Sequence, residues 1–175
     1  MSFLHRSMEI SFGNMVFSDC PWMEFAFQEL GQKESPANDN KTDNPNVAEY
    51  IKTLGYDPKK IEIEWCSAFV NWCLLQANYK RTEEEILKSR LKAAAAQSWR
   101  TWGIPLSKHP RFGAIAILTR EGAGPYNGHV GFYVGEHSKN YIWVLGGNQQ
   151  NEVNISRKEK KQLLNYVFPP LKNPE

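Results

Sequence analysis

Residues 61–79, IEIEWCSAFVNWCLLQANY, and residues 129–147, HVGFYVGEHSKNYIWVLGG, decide how this chain folds. In the first, Cys66, Phe69, Val70, Cys73, Leu74 and Ala77 recur at i, i+3, i+4, i+7, i+8 and i+11, a single apolar stripe along an α-helix. Trp65, Trp72 and Leu75 widen that stripe, so the helix is expected to be covered on most sides. In the second, β-branched and aromatic runs flank the polar turn EHSKN, which is the pattern of two paired strands.

Working outward, PWMEFAFQELG (21–31) spaces Trp22, Phe25, Ala26 and Leu30 as a helix, with Gly31 placed to end it. The polar stretch from Gln32 to Asn46 reads as a long surface loop, functional or mobile. Pro45 then starts a short helix carrying Val47, Tyr50, Ile51 and Leu54. Residues 82–103 are rich in helix formers and predict one or two further helices closed by Gly103. Beyond residue 110 the period becomes extended, with five expected strands at 113–118, 129–135, 141–147, 153–156 and 163–168. Their links are too short for crossover helices, so the sheet should be antiparallel. Helices first and strands afterwards mean an α+β fold with helices on one sheet face. We expect an arm over residues 1–20, one domain over 21–170 and a tail at 171–175.

Composition narrows the function classes. The 175 residues are 41% apolar and 13% aromatic, too rich in core formers for a disordered chain. Lys plus Arg number 21 against 19 Asp plus Glu, and a balance of +2 argues for neither a nucleic-acid nor a membrane surface. No apolar run approaches the ~18 residues of a membrane span. Residues 1–17 lack the apolar core of about 7–15 residues that a secretory signal needs, so non-classical delivery from the cytoplasm is expected. Three Cys at irregular spacing give neither a disulfide framework nor a zinc cage, and no His pair has ligand spacing such as HExxH. No metal or cofactor is expected.

Among the thiols, Cys20 has no evident partner, and Cys73 sits mid-stripe, where a free Cys behaves as a small core residue. Cys66 occupies the first turn of its helix, where unpaired N–H groups and the helix dipole favour a thiolate; its bland reading is the first core residue of the stripe. His5, His109 and His137 lie in polar surroundings and read as solvated imidazoles. His129 opens an apolar strand that places His129, Gly131 and Tyr133 on one face and Val130, Phe132 and Val134 on the other. On the middle of three hairpin registers Tyr133 faces Val144, Gly131 faces Gly146 and His129 faces Asn148. The glycines leave room for something to approach closely, and a helix start bearing a thiol would complete a Cys66–His129–Asn148 constellation. Asn148 also reads simply as a turn residue, and a one-residue slip would present Gln149 instead, which stays as the alternate orienting group.

WCSAFVNWCL around Cys66, GHVGFYVG around His129 and VLGGNQ near Asn148 resemble signature segments of the NlpC-like and CHAP superfamily of papain-like cysteine peptidases and amidases. The likeness is nearest to a small bacterial and phage branch. Pro21-Trp22, Trp65 to Val70, Ser98 to Gly103, Pro110 to Gly113, Gly128 to Gly135 and Leu145 to Gln149 have counterparts there in the same order. Many relatives carry Asp where this chain has Ala114. The resemblance implies a papain-like fold, with the nucleophile helix packed on a five- to six-stranded antiparallel sheet. It also implies Cys66 as nucleophile, His129 as base, Asn148 as third residue, and a peptidoglycan peptide amide as substrate. From this we expect a metal-independent peptidoglycan hydrolase. Its expected setting is a type VI-like antibacterial effector with a cognate immunity protein. A phage endolysin, a thiol acyltransferase or transglutaminase-like enzyme, and a non-catalytic wall-binding module are the rivals.

Overall fold

The computed structural model describes residues 17–35, 44–59, 63–88, 92–107, 109–120 and 128–170. Most of the expected 1–20 arm, the middle of the 32–46 loop and the 171–175 tail lie outside the described residues. The helices are α1 (Trp22–Gln28), α2 (Pro45–Lys52), α3 (Cys66–Gln76) and α4 (Glu83–Lys88). The strands are β1 (Ile104–Leu106), β2 (Ile115–Thr119), β3 (Gly128–Ser138), β4 (Tyr141–Gly146), β5 (Asn154–Glu159) and β6 (Leu163–Phe168). They form one sheet in the order β1-β6-β2-β3-β4-β5, with every pairing antiparallel. This is the α+β arrangement expected, helical half first.

Each helix starts where its sequence dictates. Asn44 caps α2 by accepting from the Asn46 amide at 2.8 Å, and Pro45 takes the first helical position, where its missing N–H costs nothing. The indole of Trp22 on α1 donates to the Gly113 carbonyl at 2.9 Å, fixing α1 to the turn that leads into β2. Helix α3 is buried on nearly every side, from Cys66 through Leu74, as its wide apolar stripe predicts. Its Phe69 meets Phe132 of β3 at 6.4 Å between ring centroids, so α3 lies on the Phe132 face of the sheet. Trp22, Trp65, Trp99, Phe69, Phe132, Ile115 and Ile117 are the large, fully buried side chains of the core between helices and sheet.

Two details depart from expectation. After α4 the chain does not return to an α-helix but makes a 3₁₀ turn at Ala96–Thr101. The Ala93 carbonyl, which would serve a helix ladder, instead accepts from Ser67 Oγ at 2.7 Å and Arg81 Nη2 at 3.3 Å. Arg81 also stacks on the Trp99 ring at 3.4 Å, and Trp99 Nε1 donates to Ser67 Oγ at 2.8 Å. Tertiary partners therefore outcompete the helical propensity of the Ala run. The second detail is β1, a three-residue edge strand containing Pro105, which only an edge tolerates.

The β3–β4 hairpin takes the middle register, with Tyr133 opposite Val144 and Phe132 opposite Leu145. Irregularities beyond Tyr133 shift the pairing nearer the turn, to Gly135 opposite Trp143. Strand β4 ends at Gly146, and the turn that follows is where the site is built.

Candidate active site

Cys66 is the first residue of α3 and is only 3% exposed. Its neighbour Trp65 offers no side-chain cap, so the first-turn amides remain available to the sulfur. The backbone amides of Val130, Ser67 and Cys66 itself act on the sulfur in the sense that favours its anionic form, against the larger effect of burial. Val130 follows His129 on β3, so the helix start and the His129 segment meet although they are distant in sequence.

The imidazole of His129 is held by Gln149, with Nε2 and Oε1 3.1 Å apart. The orientation of that carboxamide is fixed by its other end. Gln149 Nε2 donates to the Asn154 carbonyl at 2.6 Å and to Asn154 Oδ1 at 3.0 Å, with the carbonyls of Val144 and Gly146 at 3.3 Å. All four are acceptors, so the amide nitrogen must point at them and Oε1 must face the ring. Ser156 Oγ donates to the same Oε1 at 2.6 Å. Because an amide oxygen only accepts, His129 Nε2 carries the proton and Nδ1 holds the lone pair.

The expectation that Asn148 meets the ring is corrected here: the carboxamide on His129 is that of Gln149. The strand stops at Gly146, and the following turn has left-handed backbone at Asn148 (φ 55°), Gln150 (φ 57°) and Asn151 (φ 60°). Strand alternation therefore no longer governs which side chain points inward. Gln149 is tucked in at 4% exposure, while Asn148 turns away and donates from Nδ2 to Glu64 Oε2 at 2.7 Å. Of the two glycines expected to leave room, a β-carbon at Gly146 would lie 3.1 Å from His129 Nε2, and one at Gly131 would meet the neighbouring strand, 2.6 Å from Val144 Cγ1. Helix α3 instead approaches Gly147, whose β-carbon would stand 2.6 Å from Phe69 Cβ and Trp65 Cζ3.

Burial sets the resting charges. It pushes the Cys66 thiol up to about 11, with the Glu64 charge adding to it and the Val130 amide opposing it. It takes His129 down to about 3, helped by the Lys158 charge and opposed by the Gln149 hydrogen bond. At rest both the Cys66 thiol and the His129 imidazole are neutral. The thiolate expected from the helix start alone is thus overridden by desolvation. Cys73, fully buried on α3, and Cys20, raised to about 12 by burial and Asp19, are protonated too. His109 and His137 are exposed, and His5 lies outside the described residues.

Around Glu64, two residues before Cys66, opens a cleft of about 460 Å³ lined by Glu34, Ile63, Glu64, Arg120, Asn148, Gln150 and Asn151; neither Cys66 nor His129 is among its lining residues. Glu34 is carried there by the first residues of the 32–46 loop, which bond along the chain after the turn: Glu34 N–H to the Asn151 carbonyl at 2.8 Å, Val153 N–H to that of Gln32 at 2.8 Å. Glu64, Arg120, Asn154 and Ser156 had no sequence signal. Their spacing from Cys66 and His129 carries no pattern, and only the fold brings them in.

A buried thiol at a helix start, an imidazole with a defined tautomer and a polar cleft around Glu64 suit nucleophilic attack on a carbonyl. In comparisons with known proteins, the family model described as CHAP domain matches residues 56–148, more than half of the chain. The matched region contains Cys66 and His129 and stops one residue before Gln149. No curated protein matches the chain.

Proposed function

The chain belongs to the CHAP domain family, and from that premise we propose that it hydrolyses an amide bond in the peptide part of peptidoglycan, with Cys66 as nucleophile, His129 as general base and Gln149 as orienting residue. Family membership supports a peptidoglycan hydrolase or amidase-type function and a papain-like fold. The observation that carries the finer reading is the fixed Gln149 carboxamide, which leaves His129 Nδ1 as the basic nitrogen on β3, the strand that packs against the helix bearing Cys66.

The steps follow from those groups. His129 Nδ1 takes the thiol proton as the sulfur attacks the substrate carbonyl carbon, and the negative charge moves to the carbonyl oxygen. The uncapped Cys66 amide is the donor at hand for that oxygen. The tetrahedral adduct collapses as the imidazolium gives its proton to the amine nitrogen and the C–N bond breaks. A thioester remains on Cys66. Water, deprotonated by His129, attacks it, the C–S bond breaks, and the thiol recovers its proton. A neutral resting pair means the proton moves during attack rather than before it.

Mass spectrometry of purified muropeptides incubated with the protein tests this reading. Each cut should add one water, creating a new carboxylate and a new amine. Products that incorporate an added amine instead would mark an acyltransferase, and unchanged muropeptides would overturn the hydrolase reading. For the biological setting we propose an antibacterial effector delivered by a type VI-like machine and held in check by a cognate immunity protein. Export to the periplasm should then kill a bacterial host that tolerates the same protein in its cytoplasm. Lysis that needs only a co-expressed holin would point to an endolysin instead.

A further inference from the structure

The cleft around Glu64 has a hydrogen-bond inventory that points to a class of ligand. Glu64 is engaged on both oxygens, Oε1 by Arg120 Nη1 at 2.9 Å and Oε2 by Asn148 Nδ2 at 2.7 Å. With both oxygens committed to protein donors, Glu64 acts as an anchor that fixes the two groups on it. Arg120 spends one of its five N–H donors on Glu64, and its side chain is 60% exposed where it lines the cleft. Asn148 spends its amide nitrogen and keeps its Oδ1 as an acceptor. A guanidinium held in a set orientation matches a carboxylate through paired hydrogen bonds, and an amide oxygen next to it accepts an N–H. Among the described lining residues Arg120 is the one cation, beside Glu34 and Glu64, so a carboxylate there is read by the remaining donors of the guanidinium rather than by a net positive field. The clamp is tied to the chemistry through the chain: Glu64 precedes Cys66 by two residues, Asn148 adjoins Gln149, and Arg120 follows β2, whose Leu118 pairs with His129.

We propose that Arg120 and Asn148, oriented by Glu64, form a specificity subsite that reads one free carboxylate and its neighbouring amide N–H on a peptide substrate, flanking the bond to be cut. This deepens the hydrolase reading above and rests on it for the location of the scissile bond. In a peptidoglycan stem, a glutamyl residue linked through its side chain presents such a free α-carboxylate. A conventionally linked residue in mid-chain, with its carboxyl consumed in the next amide, does not. An exposed ion pair of this kind adds little to stability, so the arrangement is better explained by recognition than by folding.

The test is binding by the full-length Cys66→Ala protein, which holds substrate without turnover. The probes are L-alanyl-γ-D-glutamyl-L-lysine and its counterpart whose glutamyl α-carboxylate is a primary amide, titrated calorimetrically at low salt. The acid should bind about tenfold more tightly than the amide, the size of one charge-assisted contact. Adding Arg120→Gln should erase that preference while leaving amide binding in place, and Arg120→Lys should restore part of it. Equal binding of the two peptides, binding of neither, or a preference that survives Arg120→Gln would overturn the subsite. Acid-selective binding by a protein whose wild-type form cuts no muropeptide would sink the hydrolase reading and leave the subsite standing.

Discussion

Replacing Gln149 with Ala separates the two candidate carboxamides. The substitution removes the acceptor of the His129 Nε2 proton and of the Ser156 hydroxyl, and the donor to Asn154. The residue is 4% exposed, so water cannot simply replace it. Three groups lose a partner, each at about 1–3 kcal/mol, and partial rearrangement brings the net loss to about 2–4 kcal/mol. In a chain of this size each kcal/mol lowers Tm by about 2–4 °C, so a fall of about 4–16 °C is expected. With nothing holding its far N–H, the imidazole is free to rotate and to adopt the wrong tautomer, and kcat should drop by about 100-fold or more. Asn148→Ala removes its bond to Glu64 and places alanine in left-handed backbone (φ 55°), which asparagine tolerates better. It should cost about 1–2 kcal/mol and leave kcat within a few-fold, with its effect on turnover in KM. Urea unfolding, with initial rates of muropeptide release normalised to the folded fraction, reads both quantities. If Asn148→Ala takes the larger loss in kcat, or Gln149→Ala keeps its kcat, the assignment from hydrogen bonding is wrong.

Gly147→Ala should be costly for its size. Its β-carbon would stand 2.6 Å from two fully buried neighbours, Phe69 and Trp65, against ordinary carbon contacts of about 3.5–4.0 Å. Overpacking of this kind costs about 1–3 kcal/mol, and because the helix that must retreat begins with Cys66, activity should fall by more than stability alone explains; wild-type activity in this variant would refute the packing argument. Cys73→Ala should cost about 1–2 kcal/mol in urea unfolding with kcat unchanged, since that thiol only packs the core. The resting charges predict a pH profile. Because His129 is depressed from 6.5 to about 3, the unfolded chain takes up a proton that the native site refuses, so stability is lost as pH falls from 6.5 towards 3. His129→Gln should flatten that loss in acid-unfolding curves. Because Cys66 is raised from 9.0 to about 11, the native thiol keeps a proton that the unfolded one releases, and stability is lost as pH rises across that interval. Iodoacetamide should accordingly label Cys66 faster with rising pH. A rate plateau near pH ~5 would reveal a preformed thiolate.

What could be read before folding was whatever local periodicity enforces. The stripe from Cys66 to Ala77 fixes the face of α3, and the alternation through His129, Gly131 and Tyr133 combined with a short turn leaves few registers for β4. The glycines at 131 and 146 announced a close approach, which the His129 ring makes at Gly146, whereas the approach of α3 to Gly147 was not foreseen. What could not be read depends on tertiary company. The Ala-rich run before Trp99 abandons the helix only because Ser67 and Arg81 claim its carbonyl. The choice between Asn148 and Gln149 turns on where β4 ends and on left-handed residues beyond it, which alternation does not foresee. The protonation of Cys66 followed the same pattern. Its place at a helix start was visible in the sequence, whereas the cover that strips it of water exists only in the assembled fold.

Release of soluble muropeptides from purified peptidoglycan by wild-type protein and by Cys66→Ala, compared at equal folded concentration, tests the central claim most directly. Sulfur at residue 66 is the proposed attacking atom, and its loss at the start of α3 leaves the neighbouring packing largely intact. The account predicts release at the level of the protein-free control for Cys66→Ala, with unfolding close to that of the wild type. Measurable release by the folded variant would contradict it.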